Sequence, residues 1–377
     1  MRSYFFREEE TVKKVLAILL AALVVFSMVG CNNAKEGKEI AVVTDVGQLM
    51  DGGFNQGTYE GAKAYAEANN KTYMYYQPAN GQNATDNDRV AAMRQAIANG
   101  AKVIVAPGFL QANAMTTVAK ESPEVKFIFV DGWALDDGNG NPLKNVTAIV
   151  YKEQESGYLA GYAAVKDGYT KLGGTFGGGG SNPACNRFAY GFVQGAKDAA
   201  DELGVDVEIR ISFMYGGNFS ASPELVVQMS SWYSAGTQVI FSCGGSMVQS
   251  VIQAANETKD GKVIGVDTDQ SGLSERVITS AMKGLSTSVQ KVLGEFYKGE
   301  WDQKLGGQAS NLGAADDATG LPMATSKFSK FTQADYDALY AKVKSGAITP
   351  DANVEGCDKA EFWQKAVEGS KVTVIYE

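Results

Sequence analysis

The sequence predicts an α/β protein made of two doubly wound parallel-sheet lobes. Three observations lead there. Apolar runs of strand length alternate with segments of helical period, the plan recurs at a near-constant shift, and glycines and carboxylates follow the apolar runs in both copies. Alternation of strand and helix signals indicates βαβ units.

In the first copy, Ile40-Ala-Val-Val43 reads as a short buried strand and residues 55–69 as a proline-free helix. Val90, Met93 and Ile97 then fall at helical spacing ahead of strands at residues 103–105 and 127–130. Each strand run is apolar throughout, as expected where helices cover both faces of a parallel sheet. Tyr73, Tyr75 and Tyr76 mark an aromatic-rich strand with no assigned role. In the second copy, Lys102-Val-Ile-Val105 matches Gln238-Val-Ile-Phe241, a shift of 136 (238 − 102). The same shift pairs Lys126-Phe-Ile-Phe-Val-Asp131 with Lys262-Val-Ile-Gly-Val-Asp267, and Gly108 with Gly244. Upstream, Phe54 with Gly61-Ala62-Lys63 matches Phe188 with Gly195-Ala196-Lys197 at a shift of 134 (188 − 54).

Ligands of open parallel sheets bind beyond the carboxyl ends of the strands. Here those ends carry Thr44-Asp45, Gly108, Asp131, Gly244-Gly245 and Asp267. Two lobes facing each other across a hinge would place glycines, which let a backbone approach a ligand, beside carboxylates, which accept hydrogen bonds from hydroxyls.

Composition excludes several chemistries. The chain has 377 residues, 45% apolar and 20% charged, which suits a sizeable folded core rather than disorder. It has no histidine, which excludes a Ser-His-Asp or Cys-His pair and histidine-bound zinc. A net charge of −9 gives no basic footprint for nucleic acid. Cys185, Cys243 and Cys357 lack CxxC spacing and read as small core hydrophobes. The glycine run Thr175-Phe-Gly-Gly-Gly-Gly-Ser181 lacks the Gly-Lys-Ser/Thr ending of a phosphate loop and reads as a flexible strand-to-helix turn near the cleft. No cofactor or metal is expected.

Ahead of the first strand, Lys13 and Lys14 precede an apolar stretch at residues 15–29, the layout of a secretory signal peptide over residues 1–30. The stretch is short for a membrane-spanning helix, and an uncleaved anchor is the alternative. Its end, Met28-Val29-Gly30-Cys31, resembles the lipobox cleaved before a lipid-modified cysteine in bacterial lipoproteins. Residues 31–38 would form a polar tether. Glu8, Glu9 and Glu10 sit upstream of the basic region, where acids are unusual, so translation is expected to start at Val12.

The segment Thr44-Asp-Val-Gly-Gln-Leu-Met-Asp-Gly-Gly-Phe-Asn-Gln56 resembles the N-terminal signature of the basic membrane protein family, lipoprotein substrate-binding proteins of ABC importers that include purine nucleoside receptors. Val266-Asp-Thr-Asp-Gln270, Thr279-Ser-Ala-Met-Lys283 and Lys344-Ser-Gly-Ala-Ile-Thr-Pro350 extend the resemblance over nearly all of residues 31–350. It implies a type I periplasmic-binding-protein fold whose chain crosses three times between lobes, here near Val150, Gly272 and Leu305. Residues 39–150 and about 272–305 would form the N-terminal lobe; residues 151–271 and about 306–377 the C-terminal lobe.

The resemblance also implies a purine base held between two rings, mapping to Phe54, beside Asn55, and Phe219. Phe188, the repeat partner of Phe54, does not match the family position. Ribose contacts map to Asp267 and Lys283, with backbone from Gly244 or Gly245, and Asp45 and Asp131 would meet the base. The spacing from Asp267 to Lys283 is shorter than the family pattern. Implied partners are a purine nucleoside, ABC permease subunits and, through a lipid anchor, the extracytoplasmic face of the cell membrane. A sugar or another polar solute is the alternative ligand. A nucleoside-processing enzyme and a surface sensor are alternatives of other classes, although no Asp-rich calcium loop stands out for hydrolysis.

If Cys31 carries the lipid, Cys31→Ser will move the protein from the membrane fraction to the soluble fraction on cell fractionation. An unprocessed precursor that stays with the membrane would instead identify an uncleaved anchor.

Overall fold

The structure, a computed structural model, describes residues 37–377. The expected signal segment, the start at Val12, Cys31 and the tether up to residue 36 lie outside the described residues. From there the chain runs β1 (Ile40–Val43), α1 (Phe54–Ala68), β2 (Tyr73–Tyr76), α2 (Asp86–Ala98), β3 (Val103–Pro107), α3 (Ala112–Glu121), β4 (Lys126–Val130) and β5 (Val146–Tyr151). It continues α4 (Glu153–Lys166), β6 (Lys171–Phe176), α5 (Pro183–Leu203), β7 (Val207–Ser212), α6 (Pro223–Ser234), β8 (Val239–Cys243), α7 (Met247–Asn256), β9 (Lys262–Asp267) and β10 (Val277–Lys283). It ends α8 (Leu285–Tyr297), β11 (Ala309–Leu312), β12 (Thr319–Gly320), α9 (Gln333–Lys344), α10 (Ala360–Ala366) and β13 (Val372–Tyr376).

Two sheets form. The first has the order β11-β5-β4-β3-β1-β2, parallel throughout. The second has the order β12-β10-β9-β8-β6-β7-β13, parallel except for β12 against β10. Alternate residues of the apolar strands serve opposite faces. In the first sheet Ile40, Val42, Val103 and Val105 pack with Ala62, Ala66 and Val289 of α1 and α8. Ala41, Val43, Ile104 and Phe127 pack with Met93 and Met115 of α2 and α3. Neither face of the central strands is left to water, which is why their runs carry no polar alternation.

The expected crossings are corrected at two points. Val277–Lys283 was expected in the first lobe, but its backbone pairs in parallel with β9 and so extends the second sheet. Residues 309–312 were expected in the second lobe, yet β11 lies beside β5 at the edge of the first sheet. Ala-Ser-Asn-Leu has no apolar run, so nothing in its composition marks it as a strand. The chain therefore changes sheets after Tyr151, after Lys283 and after Leu312.

The internal repeat has a packing reason. Gly157 and Gly161 of α4 face Gly191 and Gly195 of α5, one turn apart on each helix. A Cβ at Gly161 would lie 2.0 Å from the Phe192 carbonyl oxygen, and one at Gly195 would lie 1.9 Å from that of Tyr158. In the first lobe, a Cβ at Gly61 of α1 would lie 2.7 Å from Ser286 Cα of α8. Gly57 and Gly61 are the repeat partners of Gly191 and Gly195 at the shift of 134 (191 − 57). Both lobes thus use paired glycines to bring a cleft-lining helix into backbone contact with its neighbour.

Gly195→Ala is expected to lower stability by at least about 2 kcal/mol, because backbone rather than a flexible side chain must yield. Urea denaturation of the variant measures this; a loss below about 0.5 kcal/mol would mean the helices can separate cheaply.

Candidate functional site

Between the two sets of strand ends lies a cavity with about 560 Å³ of empty space, counting its open mouth. That lies within the roughly 300–1,000 Å³ usual for small-molecule sites. Asp45, Phe54, Asn55, Asp131, Phe219, Gly244, Gly245, Asp267 and Lys283 all line it. The nine residues expected from the sequence are thus brought together by the fold. The cavity wall also includes Asp51, Phe188, Cys185 and Cys243.

Each side chain is held by local structure. Asp51 caps α1, its carboxylate accepting from the N–H groups of Gly53 (2.9 Å), Asn55 (3.1 Å) and Gln56 (3.2 Å). This fixes the turn that presents Phe54, whose ring is half-buried against the first lobe's core. Asn55 donates from Nδ2 to the Val46 carbonyl at 2.9 Å, while its buried Oδ1 has no hydrogen-bond partner among the described residues. Asp45 accepts from the Val46 N–H at 2.6 Å, and Gly108 leaves it room: a Cβ there would lie 1.8 Å from Asp45 Oδ2.

Phe219 comes from the second lobe and explains the glycine run. A Cβ at Gly177 would stand 2.4 Å from its ring, and a Cβ at Gly244 would stand 3.2 Å from it. The first two glycines of the run, with Gly244, form a cradle for an aromatic side chain. Phe219 has φ 60°, Asp131 φ 57° and Asp267 φ 67°. Three of the expected non-glycine site residues are therefore in the left-handed region, which non-glycine residues rarely occupy and which concentrates at functional sites. Asp131 and Asp267 are also repeat partners, so the same conformation ends β4 and β9.

At the floor, Lys283 is 2% exposed and meets three carboxylates: Asp131 Oδ2 at 2.5 Å, Glu153 Oε1 at 3.4 Å and Asp267 Oδ1 at 3.7 Å. Glu153 is fully buried and also accepts from Arg187 Nε at 2.6 Å. The Lys283 ammonium is 5.1 Å from the Phe54 ring centroid and 5.4 Å from that of Phe188. The repeat partner of Phe54 therefore reaches the same cation. Burial alone would depress the Lys283 pKa, but Asp131, Glu153 and Asp267 outweigh it and hold the amine well above its ordinary value. Burial pushes Asp267 up to about 7 against the pull of Lys283, and it likewise pushes Asp45 up to about 7. Burial also raises Asp131.

Glu153 and Arg187 escaped the sequence reading because their partners are distant in sequence and no motif carries them. Asp51 stood inside the recognised signature, and the Asp-Gly-Gly before a helix start was an available capping signal. Among the described residues, no cluster of three or more His, Cys, Asp or Glu side chains could hold a metal ion. Cys185, Cys243 and Cys357 are buried and form no disulfide among the described residues. The site offers the Phe54 and Phe219 rings beside buried carboxylates and one buried ammonium.

Comparisons agree with this architecture. Residues 38–350 match the family model Bmp, described as ABC transporter substrate-binding protein PnrA-like. The ABC transporter nucleoside-binding protein BmpA of Lactococcus lactis subsp. cremoris is 29% identical over 321 residues, covering 77% of this chain and 86% of that relative. Basic membrane protein B of Borreliella burgdorferi is 30% identical over 269 residues, covering 70% and 72%. In fold, the chain resembles an ABC transporter solute-binding protein from Conexibacter woesei, with a TM-score of 0.65 at 22% identity, covering 83% of this chain and 98% of that one.

The Asp45 pKa gives a pH test. Its carboxyl ionises near 7 in the fold against 3.8 when solvated, so the folded state keeps a proton that the unfolded chain releases. Its contribution to stability therefore falls as pH rises from about 4 to about 7. Asp45→Asn should stabilise the protein increasingly over that window, by up to roughly 1.4 kcal/mol per pH unit, and level off above it. Melting temperatures of both proteins at pH 5, 6, 7 and 8 would show this; a constant difference would mean that Asp45 is not held protonated.

Proposed function

The chain belongs to the family of PnrA-like ABC transporter substrate-binding proteins, and from that premise we propose that it binds a purine nucleoside between its lobes for import. Proteins of this kind work outside the cytoplasm and hand a small molecule to a membrane permease. No helix among the described residues is long and apolar enough to cross a membrane. Attachment through a lipid on Cys31 belongs to the proposal.

The observation that carries the reading is Phe54 and Phe219, one ring from each lobe, in one cavity with buried carboxylates and Lys283. A purine is a flat slab, and stacking a base on an aromatic ring contributes about 1–3 kcal/mol with little dependence on the base. Its edge needs both acceptors and donors. Asp45, with a pKa near neutrality, can serve as either, and Asp131 stands beside it. Adjacent ribose hydroxyls suit Asp267 as acceptor, with Lys283 donating to the sugar oxygens. Gly244 and Gly245 allow the backbone to approach the ligand.

Calorimetry with matched ligands tests each part. Phe54→Ala and Phe219→Ala should weaken adenosine, guanosine and inosine alike, by about 1–3 kcal/mol. Asp267→Asn should cost about 1.5–3 kcal/mol for ribonucleosides and much less for 2′,3′-dideoxynucleosides. Wild-type affinity in both Phe variants would remove the base sandwich and favour a sugar. Equal losses for ribo- and dideoxynucleosides would place Asp267 away from the ribose. Mass spectrometry of the solute that copurifies with the protein identifies the ligand directly.

A further inference from the structure

We infer that Thr268 and Gln270 are positioning residues that clasp the two lobes shut by converging on one backbone carbonyl. Thr268 Oγ1 and Gln270 Nε2 each donate to the Gly52 carbonyl oxygen at 2.9 Å. Gly52 lies between β1 and α1 in the first lobe; Thr268 and Gln270 follow β9 in the second. These bonds span the cleft.

The donor side is rigid. Gln270 is buried, its Oε1 accepts the Val266 N–H at 2.9 Å, and its own N–H donates to Ser280 Oγ at 3.0 Å. Gly265 is needed beneath it, since a Cβ there would lie 2.4 Å from Gln270 Oε1. The amide is thus fixed at both ends before it reaches across. The acceptor side is fixed as well. Gly52 has φ 71°, its N–H donates to Gln56 Oε1, and the adjacent Asp51 caps α1.

The clasp's place gives it a consequence for binding. Gly52 is two residues before Phe54, and Thr268 directly follows Asp267. The shared carbonyl therefore sets the distance between a ring of one lobe and a carboxylate of the other. Neither Thr268 nor Gln270 lines the cavity. A residue that holds the lobes together without touching the ligand changes the closed fraction, and with it the apparent affinity for every ligand by one common factor. Residues that contact the ligand change affinities by factors that depend on the ligand. The inference rests on the cleft being the solute site but not on the solute being a nucleoside.

Two variants remove the donors with little change of shape. Thr268→Val deletes a hydroxyl on a half-buried side chain. Gln270→Glu keeps the acceptor for the Val266 N–H but turns the donor toward Gly52 into a carboxylate oxygen. A net hydrogen bond corresponds to roughly a two- to tenfold change in an equilibrium. Thr268→Val should weaken adenosine, guanosine and 2′,3′-dideoxyadenosine by one shared factor in that range, and Gln270→Glu should weaken them by a larger shared factor. Independently, spin labels at Ala64→Cys in α1 and Ser231→Cys in α6 report the inter-lobe distance by pulsed EPR. In ligand-free protein, both variants should lose part of the short-distance population. A distance shift without nucleoside binding by the wild type would support the clasp and sink the nucleoside reading. Unchanged distance distributions, or losses that differ between ribo- and dideoxynucleosides as in Asp267→Asn, would overturn the clasp.

Discussion

Everything at the cleft floor turns on one buried ammonium. Lys283 stands among Asp131, Glu153 and Asp267, and Glu153 is shared with Arg187. Three acids and two bases leave one negative charge in excess when all are ionised. Burial raises the pKa values of Asp131 and Asp267 against the pull of Lys283, and the neighbouring acids add to the rise. Desolvated charges are tolerated only where partners are close and well oriented, and removing one partner leaves the others uncompensated. The network also joins the lobes, since Asp131 ends β4 of the first sheet while Lys283 ends β10 of the second. The ion cluster is thus a structural joint whose Asp131, Asp267 and Lys283 also line the cavity.

The duplication explains how such a floor arises from ordinary strand ends. In each lobe an apolar strand ends on an aspartate in the left-handed conformation, and the neighbouring strand ends on a glycine that clears space. Facing the two copies across a hinge doubles the set and surrounds a solute. The paired glycines of α1 and α5 let both cleft-lining helices sit in backbone contact with their neighbours. That close packing gives a rigid platform to Phe54 at the start of α1 and to Phe188 on α5.

Much of this was legible in the amino-acid order. Strands buried on both faces have to be continuous apolar runs, and the shift of 136 tied Asp131 to Asp267 before any contact was visible. The long signature around Phe54 and Asn55 pointed to one wall, and the family resemblance pointed to Phe219 for the other. What escaped had physical causes. β11 is a polar edge strand, so hydropathy does not mark it, and the third crossing was placed too early as a result; β10 has a buried strand's composition in either sheet, so nothing in it told that the second crossing comes after Lys283. Glu153 follows a lysine at a helix start and looks like an ordinary first-turn acid. Its role depends on Arg187 and Lys283, 34 and 130 residues away (187 − 153 and 283 − 153), a juxtaposition that only the fold creates.

That same first turn of α4 ties the hinge together. Glu153 holds Lys283 at the second crossing. Glu155 Oε2 accepts from the Ala314 N–H at 2.6 Å and from Thr319 Oγ1 at 2.8 Å, just past the third. Ser156 Oγ donates to the Met282 carbonyl at 2.6 Å and accepts from the Gly320 N–H at 2.9 Å, joining the two. Acids in the first turn of a helix also complement its dipole, so Glu153 and Glu155 suit the helix as well as the joint. With the second-lobe ends of all three crossings bound to one turn, Lys152, Gly284 and Gly313 remain between the ordered elements of the two lobes. Hinge rotations are absorbed by a few such residues at element ends. Motion about them would open the mouth while the ends of α4, β10 and β12 keep their mutual geometry. Lys283 is fixed at this pivot, so it stays beside Glu153 in any opening, while its contact with Asp131 across the cleft depends on how the lobes stand.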